Sequence, residues 1–186
     1  MTFRSLLEFD ARLSDRLRVA EQPGLLRTLA VFFAHSGDSW FWWLGLILLW
    51  WRGDAFWKQW AVVVLFGILG LAALVLGIKF LVRRQRPEGE WGGIYRNTDP
   101  HSFPSGHAAR AFFIAALAIG LGPAWLAALL CVWAPLVSLA RVAMGVHYVS
   151  DVLAGAVLGV VAALIGLELS PSLLTWLSSL LGGVLW

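Results

Sequence analysis

Charge is what this chain has least of. Charged residues make up 13% of its 186 positions, about half the share of an ordinary soluble domain, so a surface built for water is excluded. Cysteine occurs once, at Cys131, which rules out an intramolecular disulfide; inside a charge-free stretch it reads as a small core residue. There is no long basic run and no low-complexity tail. A net charge of +3 and a pI near 9.6 therefore give no sign of a nucleic-acid partner. Charges interrupt every apolar stretch across residues 3–20, so no signal peptide is read there. No internal repeat is visible.

What the chain has is apolar sequence. Hydrophobic residues are 60% of the total and mean hydropathy is +0.78. Stretches 39–51, 59–78, 111–140, 152–167 and 169–186 carry no charge. A membrane-crossing helix needs ~20 apolar residues, and with their flanks these stretches predict spans near 57–82, 105–121, 124–143 and 149–168. A shorter span at 38–52 and an apolar segment at 171–186, crossing or lying flat, bring the expected total to five or six. Trp40, Trp42, Trp43, Trp50, Trp51, Trp57 and Trp60 gather at span ends and read as interfacial anchors. The expected fold class is all-α: a polytopic transmembrane helix bundle with an N-terminal amphipathic interfacial helix.

Residues 1–186 read as one integral membrane domain. Phe3, Leu6, Leu7, Leu13, Leu17 and Ala20 recur at helical spacing with charges mostly on another face, the pattern of a helix lying in the interface. Pro23-Gly24 ends it. Residues 25–35 form a short apolar helix cut by Ser36-Gly37-Asp38, and two arrangements stay open. Either residues 1–35 are interfacial and 38–186 form the bundle, or 25–51 is one broken span. The next long helix turns cationic at its end with Lys79, Arg83, Arg84 and Arg86, and Pro87 stops it. Residues 87–103 form the one long loop, polar and glycine-rich, a candidate active-site loop. Gly155 and Gly159 give the last predicted span a small-residue contact face.

If the helices alternate in direction, Lys79, Arg86, Ser105 to His107, Arg141, His147 and Asp151 reach the same membrane face. Ionisable residues in a membrane are costly and mark function by default. His147 and Asp151 are four apart, one helical turn. The carboxylate can accept the imidazole Nδ1–H and leave Nε2 as a nucleophile; a pair that only fastens two helices has the same spacing. Pro104-Ser105-Gly106-His107 opens a helix, where free amides and the helix dipole attract an anion. Ser105 can cap that helix, and Gly106 permits close approach. With Lys79, Arg86 and Arg141 adding positive charge, the set points to phosphoryl transfer. A transporter or channel with an anion site would spread its charges over several depths. A non-catalytic lipid-phosphate binding protein would lack some member of the set.

Lys79-x6-Arg86-Pro87, Pro104-Ser105-Gly106-His107 and Arg141-x5-His147-x3-Asp151 resemble the three signature motifs of the type 2 phosphatidic acid phosphatase family, in order, over residues 79–151. That family shares its site with the vanadium haloperoxidases, whose activity is not expected in so short a membrane chain. One departure is Ala140, where the third motif usually carries serine. The resemblance implies a lipid phosphatase in which His147 attacks phosphorus, Asp151 orients it, and His107 protonates the leaving oxygen and then activates water. Lys79, Arg86, Arg141 and the amides of Ser105 and Gly106 would hold the phosphoryl oxygens. No metal or other cofactor is expected, because the three cations neutralise the charge. Arg110 is a candidate for substrate contact or for a structural role. Trp91 and Tyr95 are candidates either for covering the headgroup or for anchoring the loop. The implied partners are the bilayer and a membrane lipid phosphate: undecaprenyl diphosphate or another polyprenyl phosphate, phosphatidylglycerol phosphate, phosphatidic acid or a lipid A phosphate. A multi-pass cell-membrane location is expected. The positive-inside rule points the site to the cytoplasm, whereas the resemblance points it outward.

Overall fold

The computed structural model describes residues 3–19, 22–89, 91 and 99–181, and among them the chain is helical with turns and one isolated bridge between Gln85 and His101. Among the described residues seven helices follow in order: α1 Phe3–Leu17, α2 Leu25–Ser36, α3 Ser39–Arg52, α4 Ala55–Val82, α5 Gly106–Leu121, α6 Ala124–Ala143 and α7 Val149–Leu181. α4, α6 and α7 are long and apolar enough to cross a membrane on their own; α2 and α5 are shorter apolar helices. The protein is an all-helical, multi-pass membrane bundle.

Local sequence explains the boundaries. Asp54 caps α4, its carboxylate accepting from Trp57 N at 3.1 Å. α4 ends where Arg83 turns left-handed, with its amide donating to Lys79 O. α5 is the centre of the bundle. Its alanines and its Phe113, Ile114 and Leu117 are buried on nearly every side, as expected of a helix apolar all round. The small residues let α7 close in: a Cβ on Gly159 would collide with the Ala109 carbonyl, and one on Gly155 with the Ser105 carbonyl. Outward residues such as Leu74, Leu129, Val157 and Leu164 are exposed, as lipid contact requires.

One expectation changes. The predicted span at 149–168 and the separate segment at 171–186 are one helix through residue 181, with Pro171 inside it. Proline removes the amide that would bond the Leu167 carbonyl, and Ser170 Oγ donates to that carbonyl at 2.9 Å instead. Residues 182–186 lie outside the described residues. α2 is packed against α6. Ala30 and Ala34 pack on Ala140, Met144 and Val146 at the end of α6. The Trp133 indole, midway along α6, donates to Ser36 Oγ at 2.9 Å. α3 continues from there towards the start of α4, where Trp42, Leu46 and Leu49 join Trp57 and Trp60 in one cluster.

Candidate active site

The ends of α4 and α6 and the starts of α5 and α7 meet on one face. Lys79, on the last turn of α4, is buried; its Nζ donates to Asp99 Oδ2 at 2.5 Å and to His101 O at 2.8 Å. Arg86, equally buried, donates from Nε to Asp99 O (2.6 Å), from Nη2 to Asp99 Oδ2 (2.8 Å) and from Nη1 to Val146 O (2.8 Å). One carboxylate oxygen therefore sits between two of the predicted anion-binding cations. Burial works to raise the Asp99 pKa. The Lys79 hydrogen bond and charge, with Arg86 behind them, outweigh it and hold the group ionised. Arg141 is fully buried at the end of α6.

His147 lies in the short connection between α6 and α7, 1% exposed. Its Nε2 is 3.3 Å from Arg86 Nη1. Since a guanidinium only donates, this nitrogen carries the lone pair. Burial pushes the His147 pKa well below its usual value, and Arg86, Arg141 and Lys79 add to the effect, so the imidazole is neutral. Nδ1 faces Asp151 Oδ2 at 3.5 Å and makes no hydrogen bond among the described residues. Asp151 is committed elsewhere: Oδ2 accepts from Tyr148 N at 2.9 Å and Oδ1 from Arg84 Nη1 at 2.7 Å. Ser105 N donates to Asp151 O at 3.0 Å, which ties the second motif to the third. Catalytic contacts are often long before substrate binds, and this one is about half an ångström beyond a good hydrogen bond.

His107, in the first turn of α5, has a carboxylate of its own. Its Nε2 donates to Asp38 Oδ1 at 2.8 Å, while His35 Nδ1 donates to Asp38 Oδ2 at 3.0 Å. Ser105 caps α5, accepting from Ala108 N at 3.4 Å. With the Ser105 amide engaged by Asp151, the Gly106 and His107 amides remain for an anion at this helix start.

Arg110 is occupied by the α2–α3 break. Its Nε and Nη2 donate to Gly37 O, and Nη1 donates to Ser39 Oγ at 2.6 Å. That geometry serves the structural one of its two expected roles. Trp91 packs beside the Ala30–Met144 cluster with the Arg27 guanidinium 5.3 Å above its ring. Tyr95 lies outside the described residues. Sequence reading missed Asp38, Arg84 and Asp99. Asp38 had a signal: a carboxylate interrupting an apolar run is costly and needs a partner. Asp99 and Arg84 had none beyond their closeness to the motifs.

A cleft of about 300 Å³ opens beside the cations. One wall is apolar and belongs to α4, with Ile68, Leu71, Ala72, Val75 and Leu76; its inner end is Lys79, Asp99, His107 and Arg110. The arrangement fits an amphiphile whose anionic head reaches the cations while its chain follows the helix.

Comparisons with known proteins agree with this architecture. Residues 60–173 match the sequence model of the PAP2 superfamily. The decaprenylphosphoryl-5-phosphoribose phosphatase of Mycobacterium tuberculosis is 36% identical over 146 residues, covering 76% of this chain and 78% of that protein. A probable lipid phosphate phosphatase beta of Arabidopsis thaliana is 32% identical over 142 residues, 60% of this chain and 66% of that protein. The crystal structure of a transmembrane PAP2-type phosphatidylglycerolphosphate phosphatase from Bacillus subtilis aligns with a TM-score of 0.71 at 23% identity, covering 90% of this chain and 87% of that one. That of Aquifex aeolicus LpxE aligns with a TM-score of 0.65 at 26% identity, covering 83% and 93%.

Proposed function

This chain belongs to the PAP2 superfamily as a membrane phosphatase of the lipid phosphatase class, and we propose that it cleaves a lipid phosphate through a phosphohistidine on His147. In the first step His147 Nε2 attacks phosphorus and the bond to the lipid oxygen breaks. His107 gives that oxygen its proton, and the lipid alcohol leaves. In the second step water attacks the phosphorus, the P–N bond breaks, His107 takes the water's proton, and inorganic phosphate is released. Asp151 holds the Nδ1–H of His147 and offsets the positive charge that the ring acquires. Asp38 does the same for His107. Lys79, Arg86, Arg141 and the Gly106 amide neutralise the phosphoryl oxygens. Asp99 must leave their midst before phosphate can take its place.

The observation that carries this reading is the neutral, buried His147 with its Nε2 among the cations, together with an apolar-walled cleft lined also by Lys79 and His107. For the substrate we favour a phosphate monoester or diphosphate on a polyprenyl lipid, the class named in the Mycobacterium relative. The chain would lie along α4 while its head enters the cations sideways from the bilayer. A panel of polyprenyl-linked phosphates, phosphatidylglycerol phosphate, phosphatidic acid and a lipid A phosphate, ranked by kcat/KM on purified protein, tests this. Polyprenyl substrates should lead, and turnover should survive excess chelator. No release from any lipid, or loss on chelation restored by magnesium, would overturn it.

We place the site on the outer face of the cell membrane. The arginines near it, Arg84 and Arg86, are engaged by carboxylates and so count little towards topology. In a Cys131→Ser background, Glu88→Cys should react in intact cells with a thiol reagent that cannot cross membranes. Protection until lysis would reverse the orientation.

A further inference from the structure

α1 has the apolar face expected of a membrane-surface helix: Leu6, Leu7, Phe9 and Leu17 are exposed. Asp10 and Ser14 lie on the same side of the helix, among these residues at i,i+3 and i,i+4 spacing, and that side is docked. Ser14 is buried and Asp10 nearly so. Val149 N donates to Ser14 Oγ at 2.9 Å, and Ser150 N donates to Asp10 Oδ1 at 3.0 Å. These are first-turn amides of α7, which have no acceptor within their own helix. The residue before α7 is Tyr148, whose phenol is no capping group. Partners from 135 and 140 residues away in the chain serve instead.

Arg84 carries the link onward. Its Nη2 donates to Asp10 Oδ2 at 2.7 Å, and its Nη1 donates at 2.7 Å to both Ser150 Oγ and Asp151 Oδ1. The Tyr148 ring lies 3.9 Å beneath the guanidinium and fixes its plane. Asp151 thus has one oxygen on Arg84 and the other turned towards His147. Arg84 is shared between two carboxylates. Without Asp10 its full charge would bear on Asp151, drawing that carboxylate away from the imidazole it should support.

We propose that α1 is a positioning element for the reaction. Asp10, with Ser14, holds the first turn of α7 and the Arg84 guanidinium, and through them sets the gap between Asp151 and His147. This rests on His147 being the nucleophile, and the test keeps the two apart.

The full chain in lipid nanodiscs is assayed with a short-chain isoprenyl phosphate. Asp10→Asn is close to isosteric and keeps an acceptor for Ser150 N. It should lower kcat about tenfold or more while KM stays within about twofold, since a small misplacement near the chemistry is costly. In an Asp151→Asn background the same substitution should cost nothing further, because Asp10 acts through Asp151. Ser14→Ala should show the same pattern at smaller size, and it carries the test if Asp10→Asn does not fold. A normal kcat in both variants, or an equal loss in the Asp151→Asn background, overturns the proposal. An active His147→Ala enzyme would instead refute the nucleophile assignment itself.

Discussion

Asp99 is the group that a substrate must displace, and neutralising it should improve anion binding. Its carboxylate meets Lys79 at 2.5 Å and Arg86 at 2.8 Å with a side chain 41% exposed. Two charge-assisted contacts on a group so open to water are together worth about 1–2 kcal/mol. An entering phosphate or vanadate must replace that sum. Asp99→Asn keeps the size of the side chain and a carbonyl oxygen but removes the competing charge, so vanadate should bind roughly 5–30-fold more tightly. The assay is competitive inhibition by vanadate of a soluble phosphate ester, at constant ionic strength. An unchanged or weaker inhibition constant would refute the view that Asp99 holds the phosphate position. It would make the carboxylate a permanent part of the site.

The depressed pKa of His147 has a sign. Its neutral form is the attacking one, so activity is complete above the folded value and falls as pH drops through it. The acid limb of kcat/KM should therefore lie below 6.5, the ordinary histidine value, and a limb above that would contradict a buried imidazole among cations. Gly159→Ala should force α5 and α7 apart at the Ala109 carbonyl, costing about 1–3 kcal/mol and lowering the Tm in detergent; an unchanged Tm would show that the contact is loose.

The motif residues were legible because each kind of information pointed the same way. Helix lengths and directions bring Lys79, Arg86, Ser105, Arg141, His147 and Asp151 to one face, and the rarity of charge makes every member conspicuous. The supporting carboxylates were not legible for a physical reason. Asp10 joins Ser150 across 140 positions and Asp38 joins His107 across 69. Such pairings depend on how helices dock, which local periodicity does not encode. Asp38 falls at a helix break, Asp99 in an irregular loop, and Asp10 among Leu6, Leu7 and Leu17 on the apolar side of α1. The gap expected between 168 and 171 is absent. Proline costs a helix one amide, but the serine immediately before it supplies a donor and the helix runs on. The α2–α3 break was visible as Ser36-Gly37-Asp38, while the packing of Ala30 and Ala34 on the end of α6 was not.

The phosphoryl-enzyme itself tests the mechanism most directly. Purified protein is mixed with a short-chain isoprenyl phosphate labelled in its phosphate, quenched in base within the first turnover, and digested for mass spectrometry. The expected product is a phosphate on His147, stable to base and released by acid. It should be absent from His147→Ala and should accumulate in His107→Ala if a more reactive ester is supplied, because that variant lacks the base that activates water. No phosphate on His147 during active turnover, or an acid-stable phosphate on another residue, would contradict the account.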